Sequence, residues 1–180
     1  MADIQGETGA ATVNAADSAT IRIGELSAPW GGSINLGEGC GLHVGRNVQL
    51  AHIEIFAADG AVIIIGDDTR FTWRTRIYAH ERSQISIGRD CLFASDTLLM
   101  SSDVHKIFDA ASGERINEAR DIVLGDHVWL AEGVRVYKGA SIGSGSVIGA
   151  ASIVTGSIPP DSIAAGVPAR VTREGIRWEW

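Results

Sequence analysis

Leu124, Leu130, Val136, Ile142, Ile148 and Val154 follow one another at unbroken intervals of six. Six fits neither the 3.6 period of a helix nor the alternation of a plain strand. It fits a chain that turns a corner every six residues, and a fixed short repeat of this kind dictates the whole architecture. Three such steps close a triangular coil with one apolar residue pointing inward on each side. A single coil cannot bury its apolar residues; a stack of coils makes them one continuous core.

The beat recurs upstream in triplets: Leu36, Leu42, Val48; Ile65, Phe71, Ile77; and Ile87, Phe93, Leu99. Together with the two triplets from Leu124, this predicts an all-β fold of about five triangular coils, with Ile65 over Ile87 over Leu124 over Ile142. A second inward position falls four residues after each beat. It holds small or β-branched residues such as Cys40, Thr69, Thr75, Cys91, Thr97, Val128 and Ser146, which suit a narrow interior lined by strands. Arg46 and His52 break this pattern, so the first coil reads as less regular. Gly often follows the beat (Gly66, Gly88, Gly125, Gly143), as a corner needs either positive φ or close backbone approach. On the third corner the same position is larger (Tyr78, Met100, Tyr137, Thr155), so one edge of the prism should differ from the others.

Breaks in the beat carry information too. The step from Ile77 to Ile87 is ten residues, and that from Leu99 to Leu124 is twenty-five. The latter implies an extruded loop within 100–121. Long loops in compact repeats are commonly functional, and a loop on a rigid scaffold is a frequent seat of catalytic residues. This one carries Ser101-Ser102-Asp103-Val104-His105-Lys106-Ile107-Phe108. The expected organisation is a flexible arm over 1–20, a coil stack over 21–157 with a strand near Ile21–Ile23, and a loop and basic, aromatic tail over 158–180. The segment from Ala28 to Gly32 reads as a turn or end cap. The tail caps the other end or lies along the stack, with a helix weakly indicated from about 173.

A chain of 180 residues suffices for one domain with an ample core. The net charge of −7 argues against nucleic acid as the main partner, yet leaves room for a local basic patch that binds an anionic small ligand. Cys40 and Cys91 occupy the small inward position and read as buried thiols rather than a disulfide or metal pair. Neither a signal-like start nor a run of eighteen apolar residues is present, which gives the expectation of a cytoplasmic chain without a membrane span.

The tract Ile122–Arg173, with GDHVWL, GSVIGAASIVTGSIPP and AAGVPARV at their mutual spacing, resembles the C-terminal signature of the hexapeptide-repeat acyltransferases. With the His loop (SSDVHKIF followed by RINEARD), the upstream triplets and the ending GIRWEW, the resemblance covers roughly 33–180 and is closest to the sugar and polysaccharide O-acetyltransferases. It implies a left-handed parallel β-helix, a homotrimer with active sites between subunits, acetyl-CoA as donor, no metal, and a sugar or glycan acceptor. It implies His105 as general base, Trp129 beside the reacting groups, and the amide of Glu132 as oxyanion donor. It points to Ala150 and Thr155 beside the pantetheine arm and to Arg170 and Arg173 near the phosphates.

An imidazole titrates near neutrality, so it can take a hydroxyl proton and return it to a leaving thiolate. Asp103, two residues earlier, would share a face with His105 in an extended segment and orient its ring; the bland alternative is a solvated acid. Asp96 is a candidate for holding an acceptor hydroxyl, and Trp30, Trp73, Trp178 and Trp180 for stacking on sugars or for packing. Two positions depart from the family pattern. Gly156 stands where many relatives have Lys, with Arg173 or Lys138 as stand-ins, and Ala131-Glu132 replaces a Gly-rich pair. The alternatives are an N-acetyltransferase of amino-sugar nucleotides and a non-catalytic β-helix scaffold. A serine acetyltransferase would have a long helical N-terminal domain. A zinc carbonic anhydrase on this helix would need three convergent His with one closely spaced pair, and His43, His52, His80, His105 and His127 offer no such pair near the loop.

Overall fold

In a computed structural model that describes residues 2–4, 8–58 and 60–180, the chain winds as a left-handed parallel β-helix of about seven turns. Short strands build three faces of eight, six and seven described strands. The first face runs from Ala2–Ile4 through Thr20–Ile23, Gly41–Val44, Val62–Ile65, Gln84–Ile87, Ile122–Leu124 and Ser141–Ile142 to Ser157–Ile158. The second includes Arg70–Phe71, Leu92–Phe93, Trp129–Leu130 and Val147–Ile148; the third includes Trp30–Leu36, His52–Ala57, Thr75–Ala79, Leu98–Met100 and Arg135–Tyr137.

The beat residues stack as their spacing requires. Ile65 pairs with Ile87, Ile87 with Leu124 and Leu124 with Ile142. Phe71, Phe93, Leu130 and Ile148 stack on the second face, and Ile77, Leu99, Val136 and Val154 on the third. All twelve are almost completely buried. The Phe71 and Phe93 rings meet at a centroid distance of 4.5 Å, and the Thr75 and Thr97 hydroxyls, 3.0 Å apart, satisfy each other inside the prism. Cys40 and Cys91 are buried free thiols, and burial pushes the Cys91 thiol up to about 11.

The stack has more coils than the five expected because strands before residue 33 already belong to it, and the repeat is also longer toward the N-terminus. Ile34 pairs with Ile55 and Ile55 with Ile77, at separations of 21 and 22 residues. It is 18 for Leu124 with Ile142 and 16 for Ile142 with Ile158. The extra residues sit at the third corner, between the third and first faces: 37–40, 58–61 and 80–83 in successive coils, and 101–121 in the next. The first triplet is corrected accordingly. The beat residues of that coil are Ile34 and Val44, ten apart like Ile77 and Ile87, whereas Leu36 pairs with Ala57 and Leu42 with Ile63. Strands there are longer, so neighbours two residues beyond the beat also point inward. Arg46 and His52 are exposed, and Val48, Leu50 and Ile53 take the inward places.

The arm expected over 1–20 is also corrected. Ala2–Ile4 pairs with Thr20–Ile23, and Thr8–Ala15 pairs with Trp30–Leu36, so both strands belong to the coils; residues 1 and 5–7 of that arm lie outside the described residues. Trp30 begins a buried strand instead of capping the stack. The C-terminus holds the hairpin Ser162–Gly166 with Ala169–Glu174, and none of the described residues is helical. No helix among them is long and apolar enough to cross a membrane.

The glycines after the beat serve close approach. A Cβ on Gly88 would lie 2.4 Å from the Gly125 carbonyl oxygen, and one on Gly66 2.6 Å from Gly88. Positive φ falls instead on Asn47, Asp68, Asp90 and His127, which stack at the first corner; short polar side chains tolerate the left-handed region best.

The tail lies along the outside of this corner. Ile176 N donates to the Asp161 carbonyl, Trp178 stacks on His127 at 3.9 Å, and Trp180 Nε1 donates to Asp90 Oδ1 at 2.9 Å beneath the Arg70 guanidinium. The last five residues thus strap several coils together.

Candidate functional site

The extruded loop replaces the short third-corner turn between Leu98–Met100 and Ile122–Leu124. Its base is sealed: Arg120 N donates to the Ser101 carbonyl, and Ser83 Oγ donates to the buried Ser101 Oγ at 2.7 Å. Arg115 reaches back to the corner one coil earlier. Its Nη1 and Nη2 lie 2.6 and 2.8 Å from the two oxygens of Glu81, which also accepts from Ser102 Oγ. These bonds hold the Glu81 carboxyl down at about 2.

His105 sits just after a strained turn. Val104 has φ of 66°, and His105 N donates across it to the Asp103 carbonyl at 2.7 Å, closing a γ-turn. A β-branched residue in this region is a genuine outlier, sustained only where surrounding contacts over-determine it. The His105 side chain is exposed, and among the described residues no group bonds its imidazole. Asp103 does not orient that ring. Its carboxylate binds the Lys138 ammonium and Asn117 Nδ2, which lower its pKa. Around His105 the loop presents Ile107, Phe108 and Ile116, exposed by 51, 55 and 64%.

The remaining site residues fall in two places. Thr155 stands between two clefts at the third corner. One, of about 330 Å³, is lined by Met100, Asp103, Arg120, Tyr137, Lys138 and Thr155; the other, of about 400 Å³, by Thr155–Ile158 and Ala169–Val171, and so includes Arg170. The larger side chains expected on one edge therefore flank a cleft. Gly156 opens onto free space: a Cβ added there would meet no atom within 4 Å. Arg170 thus places a cationic side chain beside an open, glycine-bordered cleft. Arg173 lies on the outer hairpin strand opposite Ile163 and does not line the cleft. Lys138 is no stand-in for a lysine at 156, because its ammonium is committed to Asp103 and the Asn117 carbonyl.

Asp96, Glu132 and Ala150 all lie at the second corner, where Gly133 N donates to the Ser95 carbonyl and Ala151 N to the Glu132 carbonyl. Asp96 Oδ1 lies 3.4 Å from Arg74 Nε. The Glu132 side chain is exposed, and its N–H has no acceptor among the described residues. Trp129 lies on the second face, half-buried against Trp178, with its Nε1 buried and unpartnered. Within one chain these groups and His105 thus occupy different corners. Of the sugar-stacking candidates, Trp30 and Trp178 are buried, while Trp73 and Trp180 are half exposed. Among the described residues no cluster of three or more His, Cys, Asp or Glu is arranged to hold a metal ion.

Sequence reasoning missed Glu81, Arg115 and Asn117. Their partners lie 10 to 34 residues away across the loop and the stack, and no local spacing announces them.

No protein-family model matches the chain. It is 41% identical over 125 residues to the polysialic acid O-acetyltransferase of Escherichia coli O1:K1 / APEC, covering 69% of this chain and 40% of that protein. It is 34% identical over 151 residues to the putative lipopolysaccharide biosynthesis O-acetyl transferase WbbJ of Escherichia coli K12, covering 79% of this chain and 72% of that one. The chain thus spans under half of the first of these relatives. Among solved structures, the polySia-specific acetyltransferase NeuO superposes with a TM-score of 0.81 at 29% identity, covering 99% of this chain and 88% of that one. A galactoside acetyltransferase in complex with coenzyme A gives 0.51 at 30% identity, covering 68% and 64%. Similarity of this extent, on the same coiled architecture, establishes that the chain belongs to the hexapeptide-repeat acyltransferase superfamily and is most like its sugar and polysaccharide O-acetyltransferases.

Proposed function

We infer that this protein is an acetyl-CoA-dependent O-acetyltransferase that acts on a hydroxyl of a sugar, polysaccharide or glycan precursor. The observation that carries the reading is His105 itself: an exposed imidazole with no partner among the described residues of its own chain, on a strained turn that the rest of the loop holds in place. The names of the relatives and the coenzyme A in the galactoside acetyltransferase support the acceptor class and the donor.

In this reading His105 accepts the acceptor hydroxyl's proton as its oxygen attacks, then returns that proton to the departing sulfur. General-base assistance of this kind contributes about 10²–10⁴-fold. Acetyl-CoA, a substrate here, supplies the activated acyl group as a thioester. Thr155 and Arg170 hold its elongated anionic body in the third-corner clefts, and the free N–H of Glu132 receives the oxyanion. His105 and Glu132 sit on different corners, so their meeting requires a neighbouring chain. A homotrimer, with the apolar loop tip of one chain against the next, satisfies this and covers Ile107, Phe108 and Ile116.

The test pairs acetyl-CoA with polysialic acid, a galactoside, a lipopolysaccharide-derived oligosaccharide and an amino-sugar nucleotide, and reads thiol release and the acylated product. An ester product and a fall of about a hundredfold in His105→Ala are expected. An amide product would make the chain an N-acetyltransferase. No thiol release, and no thermal stabilisation by millimolar acetyl-CoA, would make it a scaffold.

A further inference from the structure

Asn117 is a polar residue only 7% exposed within a loop whose neighbouring residues are largely open to solvent. Every hydrogen-bonding atom of its side-chain amide is used. Nδ2 donates to the His105 carbonyl at 2.8 Å and to Asp103 Oδ2 at 3.0 Å, while Oδ1 accepts from Ile107 N at 2.7 Å and, weakly, from Arg115 Nε at 3.4 Å. The partners fix which atom is which, since two acceptors face the NH₂ and N–H donors face the oxygen. Its own carbonyl takes Lys138 Nζ at 3.2 Å and Arg115 Nη2 at 3.3 Å.

The amide therefore clasps both ends of the segment 103–107, which contains the Val104 γ-turn. Left-handed backbone at a β-branched residue is strained, so an exposed loop would relax it unless other bonds hold it. Asn117 supplies three of them, one directly to the carbonyl of His105. We propose that Asn117 is a positioning residue for the general base: by clamping Asp103, the His105 carbonyl and Ile107 N–H, it holds the strained turn that aims the imidazole. The proposal rests on the reading of His105 as the base, and it assigns the aiming of the ring to Asn117, with the Asp103 carboxylate as one of its anchors.

The geometry selects a test. Asn117→Asp keeps size and the acceptor for Ile107 but turns the NH₂ into an oxygen facing the Asp103 carboxylate and the His105 carbonyl, so two attractions become repulsions. In the full-length chain, hydrogen exchange at the amides of His105 and Ile107 should quicken in N117D while the coil strands keep their protection. With acetyl-CoA and polysialic acid, or the panel acceptor that turns over fastest, kcat should fall about tenfold or more with the KM for acetyl-CoA within about twofold, as misplacement of a catalytic group predicts. In the His105→Ala background, N117D should cost nothing further, because a residue acting only through the imidazole is non-additive with its loss.

Unchanged exchange at 105 and 107, a loss carried by KM, or an equal loss in both backgrounds would each overturn the proposal. His105→Ala with the full wild-type rate would instead remove the base assignment, and the positioning role with it. Should N117D fail to fold, Asn117→Ala is judged by the same three criteria.

Discussion

Arg115 grips Glu81 with both guanidinium arms, at 2.6 and 2.8 Å, and so fastens the extruded loop to the corner of the coil before it. The pair is largely shielded, with the Arg115 side chain 12% and the Glu81 side chain 27% exposed. A bidentate pair of this kind resists salt and acid better than a lone surface contact.

Its pH dependence follows from the Glu81 carboxyl, lowered from 4.5 to about 2 by Arg115 and Ser102. A folded-state pKa below the unfolded one stabilises fully above the unfolded value, and the contribution fades as pH falls through the folded value. Glu81→Gln should therefore be less stable than wild type at pH 6. The gap should close between about pH 4.5 and 2, measured by urea denaturation across that range. A gap that stays constant would mean that the ion pair does not anchor the loop.

The strap at the first corner should open on its own. Trp178 contacts His127, Trp129 and Trp180, and each aromatic pair contributes about 0.5–1.5 kcal/mol beyond its buried area. Trp178→Ala should release residues 176–180, seen as faster hydrogen exchange there and a red-shifted Trp129 emission, while the coils melt at nearly the wild-type temperature. Loss of the whole cooperative transition would show the strap to be integral to the stack.

Close packing between corners should make Gly88 intolerant of a methyl group. A Cβ there would meet the Gly125 carbonyl oxygen at 2.4 Å, and backbone on both sides cannot swing away as a side chain can. Gly88→Ala should cost roughly 1–3 kcal/mol or more, as overpacking does, whereas Gly156→Ala, with open space around it, should be silent in the same denaturation experiment.

Gly156→Lys tests the donor cleft. The new ammonium has room beside Thr155 and Arg170 and restores the residue type that the family pattern carries there. The KM for acetyl-CoA should fall about two- to fivefold, the equivalent of about 0.5–1 kcal/mol for a solvent-accessible charge pair, with kcat little changed. An unchanged KM would move the phosphates away from this edge.

The sequence was most legible where each side of the coil takes six residues. From Leu124 to Val154 nothing interrupts the beat, so spacing and stacking coincide. It misled at Leu36 and Leu42, because the longer strands there bury flanking residues as well, and a six-residue step between two of these imitates the beat. The position of His105 on an ejected loop could be read from the broken rhythm. What holds His105 in place could not, because Asn117, Arg115 and Glu81 meet through the folding of the loop onto an earlier coil. Lys138 illustrates the same limit: its charge is evident in the sequence, but its engagement with Asp103 is not.

Uneven length concentrated at a single edge has a broader consequence. The prism absorbs four residues or twenty-one at its third corner while the strands on either side keep their partners above and below. Closing a longer excursion costs only slowly more with length. A chain built this way can acquire, exchange or lose an excursion there with the remaining two edges serving as fixed rails, so new chemistry can be tried without renegotiating the interior.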